Sequence, residues 1–403
     1  MKTKDTFMQR IGEYLFTVAV VIEVLVVIVD KSNYTNPVQG RMFQITFLLF
    51  LAKMCLTKYT FKEYACIFFF CVMGAVSYFV TGRNELVRVA VFVASCKNID
   101  MGKCLKLVFW LTLSGCLVII LLSVTGIYGG VSLTQDYGRG SVETRYTLGM
   151  GHPNALQCMV WSLSVLGLYL YGKMMRWWHY LVLLLVNVFF YLLTDSRTSL
   201  LVTVLAIAIV LAATRQKNVL VGKLLNWFGM ITSLGSIGIS VLIACNAYRV
   251  YDYVWYDDRS PVTMLFYYLN RALNGRVRIL VENDRFEGTV QTWRLFSRPE
   301  NNYFFDLGWV RLFYWYGIIP GCVLALAIAA MLVFFYKKND YLTIALIASI
   351  SLYTVIEAHV ISVYLARNYL LFLAGGAWCM MLKGSEWKGV TDRERKESYG
   401  ANN

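Results

Sequence analysis

Apolar residues run in long unbroken blocks along this chain, from Ile11 to Leu382, separated by short polar breaks. A helix needs about 20 such residues to cross ~30 Å of hydrocarbon. Blocks at 11–29, 42–56, 64–81, 84–97, 105–127, 154–172, 177–194, 198–213, 226–246, 308–335, 341–365 and 368–382 predict about twelve crossings. The runs are continuous and do not alternate every second residue, so they predict helices rather than barrel strands. The expected fold is an all-α polytopic membrane protein, with one integral domain over residues 1–403.

Composition agrees with the pattern. The chain is 58% hydrophobic and 15% charged, where a soluble domain carries about a quarter charged residues. Its formal net charge of +14 invites a nucleic-acid reading, and the distribution of that charge argues against one. With the N-terminus inside, every inner segment is basic: Lys53–Lys62, Lys97–Lys106, Lys173–Arg176, Arg215–Lys223, Lys337–Lys338 and the C-terminal tail. Of the seventeen lysines only Lys31 falls outside. Lysine and arginine near helix ends mark the cytoplasmic side, so the expected topology is N-in, C-in. No small-residue cleavage site follows the first apolar run, which reads as a retained span. The ten cysteines show no CxxC or metal-ligand spacing and read as small buried hydrophobes.

Two outer loops are long, at 128–153 and 247–307. A structureless loop of the second length is uncommon, and Leu265, Phe266, Leu269 and Leu273 recur in it at helical spacing. It is expected to form an external cap of short helices laid on the membrane surface. The cap holds eight arginines and no lysine, among them Arg249, Arg259, Arg276, Arg278, Arg285 and Arg298, opposed by acids such as Asp252, Asp257, Asp258, Glu282 and Asp284. Arginine binds phosphate and carboxylate with two prongs, where lysine is a point charge. The arginines either pair with these acids or bind an anionic substrate. The tyrosines and tryptophans of the cap either form an interfacial belt or stack on sugar rings.

Three short motifs fall on the outer side. These are Gly151-His152-Pro153-Asn154 before the sixth span, Asp195-Ser196-Arg197-Thr198-Ser199 between the seventh and eighth, and Asn274-Gly275-Arg276-Val277-Arg278 in the cap. Each has a structural explanation: a helix cap at Pro153-Asn154, an Asp195–Arg197 pair, a left-handed turn at Gly275. An arginine at the edge of hydrocarbon is nonetheless costly and tends to line a substrate path. Glu23, inside the first span, has no evident partner in the sequence. Asp257-Asp258 could suggest a metal, but no further ligand is evident and no metal is expected.

Taken together, GHPN ahead of a span, YLLTDSRTSLL one hairpin later, a late large loop with Gly275-Arg276, its ending ENNYFFDLGWVRLFYWYGIIPG, and Glu357 followed by Arg367-Asn368-Tyr369 resemble the O-antigen polymerase and ligase family, over about Gly149 to Leu382. The resemblance implies a GT-C-like glycosyltransferase in the bacterial cytoplasmic membrane, active on its external face. Its donor and acceptor would be undecaprenyl-pyrophosphate-linked glycans, and it would polymerise repeat units into a capsule or O-antigen without cofactor or metal. Arg197 and Arg276 would stabilise charge growing on the pyrophosphate as the glycosidic bond breaks, with Arg278 and Arg145 assisting. Asn154 and Asp195 would contact substrate, and His152, Glu300 or Asp306 would orient or deprotonate the acceptor hydroxyl. A flippase and a chain-length regulator are implied as partners.

The related ligases carry a histidine late in the large loop, where this chain reads Glu300-Asn301-Asn302-Tyr303; that favours polymerase over ligase. A transporter or lipid-linked oligosaccharide flippase is the competing class. Transporters usually show two similar halves or paired broken helices, and the sequence shows neither. His359 lies in the eleventh predicted span and His179 at the inner start of the seventh, which leaves His152 as the outer histidine.

Overall fold

A computed structural model describes residues 2–136, 142–215, 219–282, 286–358 and 363–383. Asp284, Arg285, His359 and most of the basic tail lie outside the described residues. Eight helices are long and apolar enough to cross a membrane: α1 (Lys2–Asp30, apolar from Phe7), α3 (Phe61–Thr81), α5 (Met101–Val124), α6 (Pro153–Tyr171), α7 (Trp177–Thr194), α8 (Arg197–Arg215), α9 (Val219–Asn246) and α14 (Ile318–Lys337). The shorter α2 (Gln39–Cys55), α4 (Glu85–Ser95), α15 (Tyr341–Thr354) and α16 (Leu370–Lys383) pack among them. The chain is thus a helical membrane protein in which eight helices, among the described residues, meet the length of a full crossing.

Local chemistry starts the helices where the sequence changes character. Glu63 Oε2 accepts the Thr60 amide at 2.6 Å, closing a capping box ahead of α3. Asp100 Oδ1 accepts the amides of Gly102 and Lys103 to start α5, and Asp340 accepts Thr343 N–H at 3.1 Å to start α15. The core runs through α6 and α15, whose aromatic rings Trp161 and Tyr353 stack at 4.0 Å. α15 packs on α8, α9 and α6, and most of its residues are buried.

The acidic groups Glu23 and Glu63 inside the bundle take charged partners, while among the described residues the neutral side chain of Asn226 is buried without one. Glu23 accepts Arg88 of α4 at 3.2 Å and Thr46 of α2 at 2.6 Å, which supplies the partners that the sequence hid. At one end Lys97 meets Glu63 at 2.6 Å while Lys53 donates to the Lys97 carbonyl at 2.7 Å. This lysine-bearing end lies opposite the cap.

The cap comprises α10 (Tyr248–Trp255), α11 (Pro261–Ala272), α12 (Arg276–Ile279) and the loop that leads to α13 (Gly308–Tyr316). Beside it the 128–153 segment forms a two-stranded antiparallel hairpin, β1 (Ser132–Asp136) with β2 (Val142–Tyr146), pairing Leu133 with Arg145. The hairpin departs from an all-helical reading. Neither strand, SLTQD or VETRY, carries the apolar face that would have signalled it.

Two expected spans are shorter than the apolar runs. Residues 308–335 form two helices, broken at Gly317 with φ +103°. The loop makes the break favourable: Ile318 N–H donates to Arg294 O at 2.8 Å and Ile319 N–H to Leu295 O at 3.0 Å, satisfying the first amides of α14. A Cβ on Gly317 would come within 2.6 Å of Leu295 O. Likewise α15 ends at Thr354, short of the expected end at 365, so Glu357 lies beyond the helix.

Candidate functional site

At the cap end, segments distant in sequence are folded onto one another by glycine. Gly308 opens α13 where a Cβ would stand 2.5 Å from Glu357 O and 2.6 Å from Thr354 O. Only glycine lets α13 press against the segment that follows α15, and Trp309 Nε1 fixes the contact by donating to Ser351 O at 3.0 Å. Gly275 follows α11 with φ +79° and donates to Asn270 O at 2.8 Å, ending the helix in a left-handed turn. That turn directs Arg276 inward.

Arg276 is 9% exposed, and its Nη2 donates to Glu357 Oε1 at 3.3 Å. Its Nε is buried with no partner. Arg311, on α13, is also buried, with its guanidinium against the rings of Phe304 (4.4 Å) and Trp315 (4.6 Å). Its Nε and Nη1 have no partner either. Arg367, just before α16, reaches Cys158 Sγ at 3.6 Å and leaves its Nε unpaired. Buried polar groups are satisfied in more than about nine cases of ten. Three arginines with unsatisfied donors in one neighbourhood form a basic cluster whose chemistry suits an anion with several acceptor oxygens.

The titratable groups feel one another. Burial pushes the Glu357 carboxyl up to about 7; Asp306 adds to the rise, while Arg276, Arg367 and Arg311 oppose it. Burial also lowers Arg311 to about 10, against the pull of Asp306 and Glu357. His152 is held below the usual imidazole value by burial first; Asp306 opposes that shift, and Arg145 and Arg276 reinforce it. Asp306 is half-buried on the loop before α13. Glu357, Arg311 and Arg367 complete the cluster, and sequence reading assigned none of them a role. Glu357 and Arg367 entered only through the family resemblance, and the signal for Arg311 was a charge inside the apolar run GWVRLFYWYG.

The GHPN motif is a helix start with its side chain engaged. His152 caps α6 by accepting Asn154 N–H on Nδ1 at 3.1 Å, and its Nε2 lies 3.4 Å from Gln135 Nε2 of the hairpin. Asn154 is half-buried beside it.

The DSRTS turn sits alongside. Asp195 closes α7 in a left-handed conformation, φ +49°, and lies 3.6 Å from Arg145 and 3.5 Å from Arg197. Arg145 also holds Glu143 at 2.6 Å, so its charge is shared by two carboxylates and it fastens the hairpin to the α7–α8 turn. Arg197 is 67% exposed and stands at the rim, unlike buried Arg276. Ser199 meets the Tyr353 hydroxyl at 2.8 Å, linking the motif to the end of α15 just before Glu357.

Two expected residues stand apart from this cluster. Arg278 is exposed, two positions from Arg276 on the short α12, and lines a separate cavity beneath α10. Glu300 is exposed at the cap surface, 4.0 Å from Arg298. Its neighbour Asn301 is buried and structural: Nδ2 donates to Thr292 O, Ser297 Oγ and Tyr314 O, while its carbonyl accepts Arg83 Nη2 at 2.7 Å. These bonds hold the cap down on the turn between α3 and α4. Among the described residues, no three His, Cys, Asp or Glu side chains converge as metal ligands. Compared with protein-family models, curated proteins and solved structures, the chain matches none.

Proposed function

We propose that the chain is a GT-C-like membrane glycosyltransferase that polymerises lipid-pyrophosphate-linked oligosaccharides on the external face of a bacterial cytoplasmic membrane. One observation carries the reading: Arg276, Arg311 and Arg367 keep buried guanidinium donors unsatisfied by protein, Arg276 contacts the Glu357 carboxylate, and the other two lie within charge–charge reach of it. A pyrophosphate offers the acceptor oxygens these donors lack. As the bond from the sugar's anomeric carbon to the pyrophosphate breaks, negative charge grows on the leaving group, and fixed guanidinium groups stabilise it more than the ground state.

Glu357 supplies the second half of the chemistry. The acceptor hydroxyl gives its proton to the carboxylate while its oxygen bonds to the anomeric carbon, and lipid pyrophosphate departs with the bonding electrons. A carboxyl with a pKa near the working pH suits a general base. His152, kept neutral by burial and near Asp306, would hydrogen-bond the incoming sugar by exchanging its Gln135 contact for a sugar hydroxyl. The sidedness rests on the lysines at the opposite end.

Transfer to a different acceptor, as a ligase performs, uses the same groups. Translocation of the lipid-linked glycan is the second reading, favoured by one feature, the buried pair Arg88–Glu23 within the bundle. Purified protein in vesicles, given lipid-pyrophosphate-linked repeat units, separates them. A ladder of products that Arg276→Ala abolishes supports the enzyme. Substrate crossing the bilayer without elongation overturns it in favour of the flippase.

A further inference from the structure

The cavity beneath α10 has chemistry different from the arginine cluster. It encloses about 340 Å³, in the range of ligand clefts, about 300–1,000 Å³. Tyr251 and Trp255 form one side, Val250 and Val281 the base, and Arg278 and Glu282 the polar side. Among the described residues neither the Arg278 guanidinium nor the Glu282 carboxylate forms a side-chain hydrogen bond or ion pair, although both line the same small space. Tyr251 is held by rings at 5.5 Å (Phe286), 5.9 Å (Tyr256) and 6.0 Å (Trp255), while Trp255 itself is 67% exposed.

We infer that this cavity is a saccharide subsite that grips one pyranose of the glycan away from the reaction centre. The inference rests on the glycosyltransferase reading. The axial C–H edges of a sugar ring suit the negative face of an aromatic ring. A guanidinium offers donors only and a carboxylate acceptors only, so together they bind the vicinal hydroxyls of a neutral polyol. The adjacent carboxylate repels phosphate, which distinguishes this cavity from the arginine cluster. The geometry of α12 makes the division: positions i and i+2 of a helix point apart, so Arg276 turns to Glu357 while Arg278 faces the cavity.

The test uses the purified full chain in detergent and, as probe, the free oligosaccharide repeat unit released from the producing cell's surface glycan, carrying neither lipid nor phosphate. Saturation-transfer NMR reads binding. Wild type binds, and Trp255→Ala and Glu282→Gln each weaken binding about tenfold, the scale of one aromatic or hydrogen-bond contact. Trp255 is exposed, and Glu282→Gln keeps the shape, so folding is preserved in both. No binding by wild type, or binding untouched by both cavity variants, overturns the inference; in that case Trp255 is a membrane-interface anchor. Competition by inorganic pyrophosphate also overturns it. A product ladder without saccharide binding sinks the subsite and spares the enzyme; saccharide binding without a ladder does the reverse.

Discussion

Arg276 and Glu357 meet at 3.3 Å across 81 residues of sequence, each largely withdrawn from solvent. A buried charge left without its partner costs about 3–5 kcal/mol, so these two hold the cap against the end of α15. The same contact leaves most Arg276 donors for a ligand. Arg197, at the rim, holds no comparable position.

The arginines therefore separate in their effects. Arg276→Ala is expected to abolish elongation and lower stability, whereas Arg276→Lys keeps the charge and retains the fold with elongation reduced at least about a hundredfold, because the two-pronged geometry is lost. Arg197→Ala, losing an exposed group, raises the substrate KM by less than about tenfold with little change in turnover. Product ladders and melting curves on purified variants check this. Equal loss in Arg197→Ala and Arg276→Ala would place the reaction at the DSRTS turn.

Much of this architecture was legible in the sequence because hydrocarbon imposes a coarse rule: long apolar runs must become helices. The cap helix at 261–272 and the left-handed turn at Gly275 were legible for similar reasons, helical spacing and a glycine after an apolar stretch. The break at Gly317 was not, since YWYGIIPG reads as uninterrupted apolar sequence and the hydrogen bonds that favour the break come from Arg294 and Leu295. Nor was the Glu357 cluster, which exists only once Gly308 lets α13 touch the end of α15. Motifs local in sequence, at His152 and Asp195, proved to be helix ends with engaged side chains. The unsatisfied donors belong to arginines that only the fold assembles.

Gly317 carries a measurable share of stability. Its φ of +103° strains any side chain, and a Cβ would overlap Leu295 O at 2.6 Å and Phe296 Cα at 2.7 Å. Gly317→Ala should cost about 3 kcal/mol. Gly82→Ala, at φ +73° with nothing within 4 Å, should cost about 1 kcal/mol. Thermal melting in one detergent compares them; equal losses would show that backbone strain, not the loop carbonyls, dominates at Gly317.

Sidedness has its own test. Tyr256 is exposed on the cap beyond α10, and Cys55 is exposed at the lysine-bearing end. In intact cells, with the outer membrane permeabilised where one is present, a membrane-impermeant maleimide should label Tyr256→Cys above the wild-type background. Labelling that appears only after the cytoplasmic membrane is opened would put the cap inside and remove the external polymerase reading.

The pH dependence of elongation discriminates between the candidate bases. A general base works only when deprotonated, so a carboxyl at about 7 gives a rate that is flat above that pH and falls about tenfold per unit below it. His152 has a depressed pKa, so its own protonation would place a limb below the ordinary imidazole value. Glu357→Gln keeps the shape and a hydrogen bond to Arg276; it should reduce the rate about 10²–10⁴-fold and erase the limb near 7. His152→Gln, able to accept Asn154 N–H in its place, should weaken substrate binding and leave that limb where it is. If the limb survives Glu357→Gln and vanishes in His152→Gln, the proton goes to the histidine, and Glu357 serves only to anchor Arg276.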